Sequence, residues 1–179
     1  MQPVDAKRIL VYGVTGSGKT TFARRVSERT GIPWHSVDDL TWEPNWVEVP
    51  AEVQRERIAE ICAGEEWILD TAYAKWIEIP LARVELIIGL DYPRWFSLGR
   101  LLLRTAARVI DKKEICNGNR ETFWNSLSRD SILAWHFRSF RGKRMRLRDW
   151  ADNPVGPKVI VFRQDQEAKR WLESLGTPG

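Results

Sequence analysis

The sequence predicts an α/β fold, with a parallel sheet covered by helices in a single domain. Three observations carry this prediction. Short apolar, β-branched runs alternate with longer stretches whose apolar residues recur at helical spacing. The runs are apolar throughout, as strands buried between two helical layers must be. Between the first run and the first helical stretch lies Gly13-Val14-Thr15-Gly16-Ser17-Gly18-Lys19-Thr20, which has the form G-x-x-x-x-G-K-[ST].

That loop carries the chemistry. Its glycines let successive backbone N–H groups turn into one concavity, which suits an anion. A helix starting at its end adds its positive pole. The ammonium of Lys19 is the expected contact for the β- and γ-phosphates of ATP, and the hydroxyl of Thr20 for Mg²⁺. The expected nucleotide-binding residues are Gly13, Thr15, Gly16, Ser17, Gly18, Lys19, Thr20 and Thr21. The context fits. Arg8 to Tyr12 reads as a buried strand, and Thr20 to Arg29 continues as a helix with Phe22, Ala23 and Val26 at helical spacing.

The other elements follow in order. Gly31-Ile32-Pro33 ends the first helix. Trp34 to Val37 reads as a second strand that delivers Asp38 to the ligand edge of the sheet, as base, metal support or helix cap. Trp42-Glu43-Pro44-Asn45-Trp46 is a turn-rich aromatic loop, read mainly as packing. Residues 50–63 form an amphipathic helix with proline at its start. Trp67-Ile68-Leu69-Asp70 is a third strand ending in a carboxylate, the pattern in which Asp70 supports Mg²⁺. Leu86 to Leu90 is a fourth strand, with Asp91 read as a turn or cap ahead of Pro93. A helix over 96–109 places Arg100, Arg104 and Arg108 on one face, as lid arginines or a solvated row. A further helix covers 131–140, where His136 reads as a packed side chain, and a basic run follows from Arg138 to Arg148. Residues 157–163 form the last strand, which leaves Arg163 at the ligand edge beside a nucleotide base, and a helix over 166–175 closes the chain.

Composition sets bounds. With 179 residues, 43% hydrophobic and 29% charged, the chain reads as a globular domain with a full core. No apolar run approaches membrane-spanning length and the start lacks a signal-peptide core, so a cytoplasmic protein is expected. Two cysteines give neither a disulfide framework nor a zinc pattern. Residues 100–150 hold 13 Lys and Arg against 5 Asp and Glu, a net of +8 within a chain of net +4. Such a region suits nucleotide phosphates or nucleic acid.

Taken together, the loop, Val37-Asp38 with Trp42 and Trp46, Ile68-Leu69-Asp70 with Tyr73, and Leu90-Asp91-Tyr92-Pro93-Arg94 fall in the order of a known group. So do Arg100, Arg104, Trp135 and the basic run. The chain resembles the adenylate-kinase-related P-loop proteins often labelled DNA topology modulation proteins. The resemblance implies a P-loop NTPase fold in three layers, α/β/α, with a five-stranded parallel sheet in the order 2-3-1-4-5. It also implies a small helical lid, placed at about residues 100–150 of one domain spanning 1–179. It implies ATP and Mg²⁺ as cofactors and phosphoryl transfer as the chemistry. Lys19, Asp38 and Arg104 then serve catalysis, Arg100 and Arg163 join the nucleotide site, and Thr20 and Asp70 hold the metal. Two departures from adenylate kinases stand out. Asp70 is followed by Thr71-Ala72-Tyr73 rather than glycine, and an Asp-Gly-Phe-Pro-Arg segment is lacking. The expected activity is transfer from ATP to a small acceptor, a nucleotide or nucleoside. The rival readings are a nucleotide-gated nucleic-acid-binding protein and a slow ATPase.

Overall fold

The computed structural model describes residues 5–111, 114–115, 119–120 and 132–175. Its centre is β1 (Arg8–Gly13), buried from Ile9 onward. Both neighbours run parallel to it. They are β5 (Trp67–Leu69), with Leu10 opposite Leu69, and β6 (Leu86–Leu90), with Gly13 opposite Leu90. Beyond them lie β2 (Trp34–His35) and β9 (Lys158–Phe162), also parallel, giving the order β2-β5-β1-β6-β9. Counted within this sheet alone, the order is 2-3-1-4-5. Parallel neighbours need crossovers, and the helices between them supply those.

Alternation along β1 divides the core in two. Ile9 and Val11 face α1 (Lys19–Thr30) and α7 (Asp165–Ser174), where Phe22, Val26, Trp171 and Leu172 cover them. Leu10 and Tyr12 face the other layer, with Ile58 and Cys62 of α3 (Ala51–Ala63), Trp67, Trp76 and Leu147. Each large side chain buried here contributes roughly 1.5–3 kcal/mol. The remaining elements are α2 (Val37–Thr41), α4 (Glu78–Leu81), α5 (Arg94–Asp111) and α6 (Ile132–Asp152). Two small antiparallel pairs complete the set: β3 (Trp42–Glu43) with β4 (Val47–Glu48), and β7 (Glu114–Ile115) with β8 (Asn119–Arg120).

Three expectations are corrected. The second strand stops at His35, because the Ser36 side chain accepts the N–H of Asp39 and starts α2; Asp38 thus sits in a helical first turn rather than at a strand end. The basic run is not a separate segment but the continuation of α6, one helix of 21 residues. Its second half is not lid either. Leu147 is 1% exposed and packs so closely on β6 that a Cβ at Gly89 would lie 2.6 Å from its methyl carbons. Trp150 meets the Tyr12 ring edge-on at 4.8 Å. The side chains of Arg108 and Trp135 lie outside the described residues.

Candidate active site

The loop between β1 and α1 is built by its glycines. Gly16 has φ 82° and Gly18 φ 90°, the left-handed region in which a Cβ is strained. At Gly16 a Cβ would also stand 2.3 Å from the Ser97 carbonyl oxygen of α5, so the loop rests directly on that helix. The Val14 carbonyl accepts the Ser17 N–H at 3.2 Å, the Ser17 hydroxyl at 2.8 Å and the Lys19 ammonium at 3.0 Å.

Around Lys19 the expected residues converge. Burial pushes its ammonium down to about 8, against the pull of Asp38 and Asp70 and with the repulsion of Arg104. Asp70, at the end of β5, is 3% exposed and accepts the Val37 N–H at 3.0 Å and the Thr20 hydroxyl. Burial raises its carboxyl above the usual range, while those hydrogen bonds and Lys19 oppose the rise. Thr20 and Asp70 therefore touch, as a pair of oxygen ligands to Mg²⁺ requires. Thr20 and Asp70 would hold Mg²⁺ with the help of phosphate oxygens and water. No group of three or more His, Cys, Asp or Glu that could hold a metal occurs among the described residues.

Asp38 is exposed, on the Asp70 side of Lys19, and its Oδ1 accepts the Tyr73 hydroxyl at 2.9 Å. The Trp42 indole N–H in turn donates to that hydroxyl. Burial first, and then the charges of Asp38 and Asp70, raise the Tyr73 phenol well above its ordinary value. Trp42 and Trp46 meet edge-on at 6.0 Å across a turn in which Asn45 and Trp46 both adopt positive φ. For a residue as bulky as tryptophan that backbone is strained, which is unusual outside functional sites. β8 lies against this turn. Through Trp42 and Tyr73 the aromatic loop is linked by hydrogen bonds to Asp38, and it belongs to neither hydrophobic core cluster.

On the opposite side of the loop, α5 and α7 enclose a cavity of about 390 Å³, lined by Gly18, Thr21, Phe22, Tyr92, Arg100 and Asp165 among others. Arg100 donates to Asp165 at 2.8 Å and overhangs Gly18, where a Cβ would be 2.8 Å from its guanidinium. Arg163 is exposed and does not line this cavity. Its backbone N–H donates to Glu167, the residue that closes the capping box of α7. The reading of Arg163 beside a base is thus not supported by its position; Asp165 occupies that edge.

Sequence reasoning overlooked what α6 brings. Asp91, read as a turn residue, is buried and paired with Arg144 through both oxygens, and Arg148 approaches at 3.5 Å. Arg146 donates to the Tyr12 hydroxyl at 3.3 Å. Lys143 faces Lys19 and Asp38, and burial together with the Lys19 charge pushes it down to about 7. His136 reaches the loop itself, at 2.9 Å from the Thr15 carbonyl oxygen. Positions 136, 140, 143, 147 and 150 share one helical face, but that spacing does not say which element the face meets.

No family profile and no curated protein sequence matches the chain. Solved structures do. A gluconokinase from Sinorhizobium meliloti 1021 superposes with a TM-score of 0.53 at 16% identity, covering 94% of this chain and 92% of the other. The chain shares the fold of this structure, a parallel five-stranded α/β sheet between helices. An unliganded sugar kinase from Janibacter sp. HTCC2649 is similar in the same way, with a TM-score of 0.51, 18% identity and coverage of 93% and 90%. In both pairs the likeness spans nearly the whole of each chain. Among the described residues no helix is long and apolar enough to cross a membrane.

Proposed function

We propose that this protein is an ATP- and Mg²⁺-dependent phosphotransferase that moves the γ-phosphoryl of ATP to a hydroxyl of a small acceptor. The observation that carries the reading is the convergence of Lys19, Thr20, Asp70 and Asp38 at one loop. Lys19, Arg104 and Lys143 put positive charge around the place where a γ-phosphoryl would lie. Thr20 and Asp70 would hold Mg²⁺, which when bound neutralises phosphate charge. Gly13, Thr15, Gly16, Ser17 and Gly18 supply the cradle. Thr21 and Arg100 line the cavity that suits the rest of the nucleotide.

Asp38 is the acceptor-side carboxylate. Tyr73, itself held by Trp42, fixes the carboxylate's direction, and the exposed group is placed to orient an incoming hydroxyl and take its proton. The sequence favoured a nucleotide or nucleoside as acceptor. The similar structures are named for sugar and gluconate kinases, which adds sugars and sugar acids to the candidates. A tryptophan pair beside a carboxylate suits either a base or a sugar ring. The nucleic-acid reading loses ground, because Lys143, Arg144 and Arg146 are turned toward Asp38, Asp91 and Tyr12 rather than displayed as a stripe.

The experiment is a comparison of the wild type with Lys19→Ala, measuring acceptor-dependent ADP formation. The expected outcome is a loss of at least about a hundredfold in kcat/KM with circular dichroism unchanged. A folded Lys19→Ala protein that keeps full turnover would refute the assignment.

A further inference from the structure

α6 reaches the phosphate loop at one point. His136 is fully buried, and its Nδ1 lies 2.9 Å from the carbonyl oxygen of Thr15, 121 residues earlier in the chain. A carbonyl only accepts, so Nδ1 must carry the proton. Nε2 is then a bare lone pair, buried without a hydrogen-bond partner among the described residues. A buried ring nitrogen left unpaired costs free energy, and such a cost calls for a compensating role. His136 also stays neutral. Burial lowers its pKa, and Arg94 from α5, Lys19 from α1 and Lys143 from α6 oppose a further positive charge, against the single pull of the Thr15 carbonyl.

The consequence lies in the next peptide group. No peptide bond in the described chain is cis, so each C=O and the N–H that follows it point in opposite directions. Val14 shows the principle: its carbonyl is held by Ser17 and Lys19, which fixes the Thr15 N–H. Thr15 itself has its carbonyl held by His136, which fixes the Gly16 N–H. Gly16 has positive φ and no side chain to hold its own peptide in place, so that outside contact matters most there. We propose that His136 is a positioning residue of the phosphate loop: by holding the Thr15 carbonyl it aims the Gly16 N–H at a nucleotide phosphate, and so couples the seating of α6 to nucleotide binding. The proposal rests on the reading of Gly13–Thr20 as a nucleotide site, and names a residue outside the loop on which that site depends.

The test begins with the unaltered protein. With ¹⁵N-labelled histidine, the ring shifts of His136 near pH 7.5 should report the Nδ1-protonated tautomer, which is the minor form in water. An Nε2-protonated ring would overturn the proposal outright, since Nδ1 could not then donate. Next, ADP affinity is compared across variants by calorimetry, while the Gly16 amide is followed in ¹⁵N–¹H spectra. His136→Phe keeps the bulk and removes the donor. It should weaken ADP binding roughly tenfold and reduce the ADP-induced shift of the Gly16 amide. His136→Gln retains an N–H donor and should recover most of both. A His136→Phe protein that binds ADP as tightly as the wild type, with the same Gly16 shift, would overturn the proposal while leaving the nucleotide reading intact. Failure of the wild type to bind ADP at all would overturn both.

Discussion

Two residues decide how the acceptor side behaves. Tyr73 holds one oxygen of Asp38, and Trp42 holds Tyr73, so the carboxylate is aimed before an acceptor arrives. Tyr73→Phe removes the donor and little else. The account expects kcat to fall roughly tenfold with the KM for ATP unchanged, which steady-state kinetics would check. Lys143 sets a pH dependence. Its ammonium is pushed from 10.5 down to about 7, so between those values the unfolded chain binds more protons than the folded one. The contribution of Lys143 to the stability of the ligand-free protein is therefore least unfavourable above pH 10.5 and grows more unfavourable as pH falls to about 7. Lys143→Met should remove that part of the slope and raise stability at about pH 6. The gain is held to about 1 kcal/mol, because the side chain keeps some solvent contact. Denaturant titrations at about pH 6 and about pH 10 would read this directly. Lys19, Thr20 and Asp70 were legible from sequence because a loop motif and a strand end are local patterns. Tyr73 entered only through a resemblance, and Lys143 and His136 not at all as site residues. Their contacts join α6 to the loop at the far end of the chain, and no local spacing encodes such a pairing.

At the scale of elements, α6 is the part that sequence divided wrongly. Gly142 and the surrounding charges interrupt its apolar periodicity, so the stretch reads as a short helix and a solvated basic run. In the fold Arg144 pairs with the buried Asp91 and Arg146 meets Tyr12, while Arg138, Arg141 and Arg148 stay exposed and Leu147 and Trp150 pack on the sheet. One helix therefore has a structural half and a site-facing half. Arg144→Met would leave the buried Asp91 to the more distant Arg148. It should cost about 3 kcal/mol, the low end for breaking a buried pair, read as a lower midpoint in urea. The strands were easier to recognise. β1, β5 and β6 are apolar on both faces, and that alone places them between two layers of helices. β2 was overextended because a single serine, Ser36, turns the chain into α2 two residues early.

For the whole molecule, the arrangement has a simple logic. The sheet delivers the loop, Asp70 and Asp91 to one edge, and the helices that follow β6 carry basic groups back across it. Phosphoryl transfer asks little covalent chemistry of a protein, mainly positioned charge, and this edge gathers Lys19, Lys143, Asp38 and Asp70 within reach of one another's charge. The α/β class could be read from the alternation of strands and helices, whereas the strand order 2-3-1-4-5, which the sheet has, was implied by the resemblance. The acceptor could not be read, because the Trp42–Trp46 turn takes its shape from strained backbone that the residue types do not announce. The most direct measurement is ADP formation from MgATP in the presence of nucleosides, nucleoside monophosphates, sugars and sugar acids in turn, with ³¹P NMR of the products. The account predicts that one class stimulates turnover well above the rate with water alone and gains a new phosphate ester. Release of inorganic phosphate at the same rate with every compound, and no ester with any, would contradict it.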